Sequence, residues 1–191
     1  MALTKVRGAG VDFDGQDIVL DADGDTKIAA GTDDIITIST AGSERLRVLA
    51  AGGLTFNGDT AAANAIDDFE QGTWTPTSAY GTVSSAYAHY IKVGNMVTVW
   101  TQLSTFSDSS GNSLYVEGLP YASASNFAGT GLIMHRNANI SNEDDLTAYI
   151  GFSASNFRFF KIRANGAWST LTYSLLSSSH EFYIHLSYLT S

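Results

Sequence analysis

Three carboxylates, Asp21, Asp23 and Asp25, stand at alternate positions around Gly24, a pattern that could offer oxygen ligands to a hard cation such as calcium. The spacing departs from a calcium loop: the glycine comes too early, and Thr32 occupies the place of the closing bidentate acid. The expectation is therefore a solvated turn, with no metal and no cofactor. His89, His135, His180 and His185 share no metal-type spacing, and His180 and His185, five apart on a strand, point to opposite faces. Cleavage of a glycan would need two carboxylates facing a groove. The acids available are Asp108, Glu117, Glu143, Asp144, Asp145 and Glu181, of which Glu143, Asp144 and Asp145 lie in an Asn- and Ser-rich stretch that reads as a solvated loop. No nucleophile elbow and no glycine-rich phosphate loop occurs, so a non-enzymatic protein is expected.

Recognition without catalysis falls to loop tips, where aromatic faces and amides can meet a ligand. Three stretches qualify: 106–112, with Phe106, Asp108 and Asn112; 123–127, with Asn126 and Phe127; and 137–142, with Asn137, Asn139 and Asn142.

The elements that must position these loops divide at the stretch 67–77. Residues 1–71 hold 13 of the 19 acids, five of the ten bases and only three of the 22 aromatics, Phe13, Phe56 and Phe69. An acidic, aromatic-poor strip thus precedes a nearly neutral, aromatic-rich stretch long enough to build its own core. Cysteine is absent, which removes disulfides and thiolate metal sites. A net charge of −9 argues against nucleic-acid binding, and no stretch approaches the roughly 20 apolar residues of a membrane span, so membrane insertion is not expected. The start lacks the apolar run of a secretory signal, and synthesis in a cytoplasm is expected.

The front strip repeats with a period of 18. Ile18 and Leu20 are followed by Ile36 and Ile38, then by Leu54 and Phe56; Ile28 maps onto Leu46 and Gly24 onto Gly42. Each repeat reads as two short strands joined by glycine-containing turns. Four or five apolar side chains per 18 residues are too few to order such a strip alone. The expectation is an intertwined β stem of several chains, with Ile18, Leu20, Ile28, Ile36, Ile38, Leu46, Val48, Leu54 and Phe56 as its shared core. Hairpins packed within one chain are the alternative. Residues 59–70, with the run Ala61-Ala62-Ala63, have helical propensity for a turn or two.

Further along, alternation predicts strands at 87–93 and 96–103 around the turn Gly94-Asn95, at 156–163 and 168–173 around Ala164-Asn165-Gly166, and at 180–189. Shorter strands are expected near 114–116, 131–135 and 146–152. An all-β chain ending in a β-sandwich or jelly-roll-like head follows.

The stem motifs Asp21-Ala22-Asp23-Gly24-Asp25-Thr26-Lys27-Ile28, Gly42-Ser43-Glu44-Arg45-Leu46-Arg47-Val48 and Gly53-Leu54-Thr55-Phe56, with the sequel Asp68-Phe69-Glu70-Gln71-Gly72-Thr73-Trp74-Thr75-Pro76, resemble bacteriophage tail fibres and related virion fibres. The order from Gly72 through Tyr90-Ile91-Lys92-Val93-Gly94-Asn95-Met96-Val97 and Gly118-Leu119-Pro120-Tyr121 to Phe182-Tyr183-Ile184 is similar, more sparsely, to the C-terminal heads of such fibres. The resemblance implies a homotrimer on a virion: residues 1–16 as the attachment segment that docks on an adaptor, tail or capsid protein, 17–71 as the stem, and 72–191 as a head that contacts a host-surface glycan or protein. A head fibre or capsid decoration that stabilises the particle is the alternative, and a glycan depolymerase stands behind both.

Overall fold

The computed structural model describes residues 13, 15–141 and 144–191. Most of the expected attachment segment, together with Asn142 and Glu143, lies outside the described residues. The chain is all-β and forms two compact units that meet between Asp68 and Phe69. The expected stem boundary at 71/72 lies three residues further on, because Phe69–Thr73 pairs as a strand with the head.

In the first unit, β1 (Ile18–Val19), β2 (Lys27–Thr32), β3 (Ile35–Thr40), β4 (Ser43–Val48) and β5 (Leu54–Phe56) make an antiparallel meander in chain order. The 18-residue repeat is the strand pair: a shift of 18 carries β1 onto β3 and β2 onto β4. Cross-strand register sets Ile18 against Ile28, Ile28 against Ile38, Ile38 against Leu46, and Leu46 against Phe56. A second row runs Ile36, Val48, Leu54 and Ile66. Residues two apart on a strand share a face, so both rows lie on one side of the sheet. The other side is polar. Lys27 pairs with Asp17 at 2.6 Å, and an irregularity after Ile38 sets Glu44 opposite Ser39, where it forms a two-pronged bond to Arg47 at 2.6 and 2.8 Å. These strands pair with their neighbours within one chain, leaving the outer sides of β1 and β5 as the sheet's edges, and the expected intertwining is not what joins β1 through β5. The expected helical stretch shortens to a single 3-10 turn, Ala62–Asn64, with Asp59 accepting from Ala61 N–H at 2.8 Å.

The second unit contains β6 (Phe69–Thr73), β7 (Thr77–Ser78), β8 (Ser84–Val93), β9 (Met96–Ser104), β10 (Tyr115–Glu117), β11 (Gly129–Ala138), β12 (Asp144–Ile150), β13 (Asn156–Arg163), β14 (Ser169–Thr170) and β15 (Leu176–Leu189). They join one continuous sheet in the order β6-β8-β9-β15-β11-β12-β13-β10-β7, with β14 beside β13. Laid flat, a path of nine strands spaced about 4.8 Å apart would hold its edges roughly 38 Å from each other. Yet the edge strands β6 and β7 are separated by only Trp74, Thr75 and Pro76, a link that reaches about 14 Å at most. The sheet must therefore curl until its edges nearly meet. One curled sheet thus stands where a β-sandwich or jelly-roll-like head was expected.

Its inner face is the core: Val97, Val99 and Leu103 on β9, Ala148 and Ile150 on β12, Phe157 and Phe159 on β13, and Phe182, Ile184, Leu186 and Tyr188 on β15, with Trp74 buried at the seam. The partners Met96, Thr98, Trp100 and Gln102 alternate outward, as the period of two requires.

A polar clamp sits beside the seam. Glu70 on β6 accepts from the phenols of Tyr90 on β8 and Tyr121 in the loop after β10, one on each carboxylate oxygen, and Lys92 lies 5.4 Å from the Tyr121 ring. Gly72 leaves room for the Tyr90 ring, which a Cβ would meet at 2.9 Å. The hydrogen bond to Glu70, then burial, pushes both phenols above the ordinary tyrosine range. A group with a raised folded-state value adds stability below its unfolded value, about 10, and loses it as pH climbs past the folded one. Glu70→Gln is expected to return both ionisations toward about 10, read as an earlier rise of tyrosinate absorbance in an alkaline titration.

Candidate functional site

Register decides which loops can cooperate. Ser84 and Glu181 both pair with Ser104, Glu181 pairs with Arg136, and Asp144 pairs with Arg163, so these positions mark one end of the curled sheet. Phe69, the Gly94-Asn95 turn and Leu189 mark the opposite end. The segments 79–83, 105–114, 139–141 and 171–175 gather at the first end, and we refer to them as the rim. The loop 118–128 belongs to the other end, since Gly129 pairs with Ile150 there.

Backbone hydrogen bonds stitch the rim into one body. Ser107 N–H donates to Thr82 O at 2.9 Å and Ser107 Oγ accepts from Thr82 N–H at 2.8 Å. Around the 3-10 turn Tyr173–Leu175, Tyr173 N–H donates to Asn112 O (3.1 Å), Ser174 N–H to Ser110 O (2.8 Å) and Asn139 N–H to Leu175 O (2.7 Å). Loops tied in this way lose little further entropy when they meet a ligand. Tyr80, 45% exposed, stands on the rim with its ring edge-on to Tyr173 at 6.0 Å. Asp108 closes its own loop by accepting from Ser110 N–H at 3.3 Å and Ser110 Oγ at 2.5 Å.

The structure sorts the expected contact residues. Asp108, Asn112 and Asn139 lie in the rim segments, and Asn137 stands at the adjoining end of β11. Asn137 lies at a positive φ of 58° and uses its amide to hold Ser179, donating to both its carbonyl and its hydroxyl at 3.1 Å, so it positions the β11–β15 irregularity. Phe106 is not presented at all: it is buried, stacked on His180 and edge-on to Tyr173 and Phe182. Asn126 is exposed at the other end, and the half-buried Phe127 covers Gly129, whose Cβ would meet its ring at 2.8 Å. The sequence reading missed the loop 79–83. Its signal was the Tyr80-Gly81 pair, where Gly81 has a φ of 72° and a Cβ would meet Ser107 Oγ at 2.3 Å.

His180 supports the rim from below. It is buried, its Nε2 accepts from Phe106 N–H at 3.1 Å, and its Nδ1 donates to Ser177 O. Both bonds are made together only by the neutral ring carrying its proton on Nδ1. His185, on the same strand, faces outward.

The acids are dispersed. Asp144 pairs with Arg163 at 2.8 Å, and that hydrogen bond holds its carboxyl below the ordinary range; Glu181 pairs with Arg136 at 2.7 Å. In the first unit the oxygens of Asp21, Asp23 and Asp25 lie within 4.8 Å of one another. Asp21 there accepts from the N–H groups of Gly24 (3.2 Å) and Thr26 (3.1 Å), the arrangement of a side-chain-closed turn. A shallow groove of about 330 Å³ on the outer face of the head is lined by Thr73, His89, Ile91 and Trp100.

His180→Leu leaves the Phe106 N–H buried and unpaired. It is expected to cost about 1–3 kcal/mol and to speed amide exchange through 105–112, measured by chemical denaturation and hydrogen-exchange mass spectrometry.

No protein-family model, no curated protein and no solved structure matches this chain, so what the site does has to be argued from its geometry.

Proposed function

We propose that the chain is a homotrimeric bacteriophage fibre protein, anchored to the virion through its N-terminal segment and contacting the host surface with the rim of its head. The observation that carries this reading is the stem's apolar face. Leu20 (58%), Ile36 (47%), Phe56 (48%) and Ile66 (45%) stay exposed in the single chain, side by side with Ile18, Ile28, Ile38, Leu46 and Val48, while the polar side of the same sheet carries the ion pairs. Contiguous apolar faces of this kind mark association surfaces. Covering the rest of these side chains is worth on the order of 10 kcal/mol per chain. Because consecutive strands pair within each chain, sister chains contribute side chains in this reading: sheets pack their apolar faces around a shared axis. The choice of three copies rests on the resemblance of the stem motifs to virion fibres.

The rim suits recognition of a neutral polar surface such as a host glycan. It offers an exposed aromatic ring at Tyr80 and amides at Asn112 and Asn139 on a hydrogen-bonded frame, and exposed aromatics stack on sugar faces. The ion pairing of Asp144 and Glu181 favours binding without cleavage.

Light scattering of the full chain is expected to give three times the 20.3 kDa chain mass. Ile38→Asp places a charge in the centre of the longer apolar row, costs several kcal/mol per chain on association, and is expected to reduce the mass to that of one chain. A wild-type chain that stays monomeric at micromolar concentration with protected stem amides would overturn the proposal.

A further inference from the structure

The head carries a second uncovered surface, on the outside of the curl. Register aligns His89, Trp100, His185, Leu132, Thr147 and Phe160 in one row across β8, β9, β15, β11, β12 and β13. Leu132 is 76% exposed and Met134, two residues on, 64%. Trp168 (63% exposed) folds back onto the same face, 5.0 Å from the Phe160 ring and edge-on to Tyr149 at 6.1 Å. Tryptophan, tyrosine, phenylalanine and methionine are the residues that interface centres favour.

Charge and size narrow the occupant. In a chain of net charge −9 the row contains no Asp, Glu, Lys or Arg; the nearest charges, Asp145, Arg158 and the Arg136–Glu181 pair, stand at its margin. In a threefold assembly the residues nearest the axis meet their own copies, so a surface free of charge can stand there without repulsion or unpaired ions. Measured along the curved sheet, the four strands β9, β15, β11 and β12 span about 14 Å across and roughly 14 Å along, about 200 Å². That is well short of the about 800 Å² per partner that a free-standing complex needs. It suffices for a copy already tethered, because linked modules meet at an effective concentration on the order of millimolar.

We infer that the outer face of β9, β15, β11 and β12, centred on Leu132 and Met134, packs against the head of a sister chain. The inference rests on the stem association proposed above, which supplies the tether, and adds the surface by which the heads then lock together.

Methionine oxidation tests it on the full chain. If a sister head covers Met134, dilute peroxide converts it to the sulfoxide about ten-fold more slowly in the wild-type oligomer than in a Leu132→Glu variant, whose solution mass remains that of the oligomer. The chain has no cysteine, so Leu132→Cys gives a single thiol: a short bismaleimide is expected to link copies of this variant, and to link none when Ile38→Asp is also present. An oligomer whose Met134 oxidises as fast in the wild type as in Leu132→Glu, and whose Leu132→Cys variant does not cross-link, overturns the head contact alone. A monomeric wild type overturns the stem association and the head contact together.

Discussion

A three-residue bridge governs the larger unit. Trp74, Thr75 and Pro76 join the two edge strands of a nine-strand path, and that shortness forces the sheet to roll up. Rolling creates an inside, where Val97, Val99, Phe157, Phe159, Phe182 and Leu186 can be buried without a second layer of structure. Pairing of β6 with β8 already sets Glu70 beside Tyr90, and the closure adds Tyr121, so the clamp beside the seam is in part a product of the curl that it reinforces. Loops that would lie far apart on a flat sheet become neighbours on one rim, where their backbones bond to each other.

The smaller unit obeys a different constraint. Its strands satisfy their backbone partners locally, through short turns, and this leaves side-chain burial as the unfinished part of its folding. Two sides of one sheet divide the labour. Ion pairs such as Arg47–Glu44 and Lys27–Asp17 keep one side wetted, and the other is a continuous apolar surface from Ile18 to Phe56. A slip of two residues between the repeats, from Ile18–Ile28 pairing to Ile36–Val48, leaves that division intact, because an even slip keeps every side chain on its own face.

Local chemistry was readable in advance, and non-local chemistry was not. The Gly94-Asn95 turn and the alternation of Val97, Val99, Thr101 and Leu103 located β8 and β9, since both signals sit within a few residues, but large apolar groups on both faces left open which face is buried. The 18-residue repeat likewise placed the apolar stem positions on a common face. Phe106 was misplaced because its flanks, rich in Ser, Asp and Gly, describe a surface loop; its burial depends on His180 and Phe182, more than seventy residues away. That the expected sandwich or jelly-roll-like head is one curled sheet was hidden for a related reason. Strand order is set by β15 entering between β9 and β11, and no short-range pattern encodes that choice. For the rim, turn residues indicated where loops fall, but only the register between strands told which of them share an end.

The central place of β15 has a bearing on how the chain is made. It pairs with β9 along nine positions and with β11 along six, yet it follows every other strand in the sequence. As the polypeptide leaves the ribosome, β9 and β11 wait with open hydrogen-bonding edges until residues 176–189 emerge to fill the gap. Pairings of such long sequence separation form slowly, and exposed edges invite aggregation in the interval. The head is thus a structure assembled late and all at once, and shortening the chain before residue 176 would remove the middle of its sheet and not merely its margin.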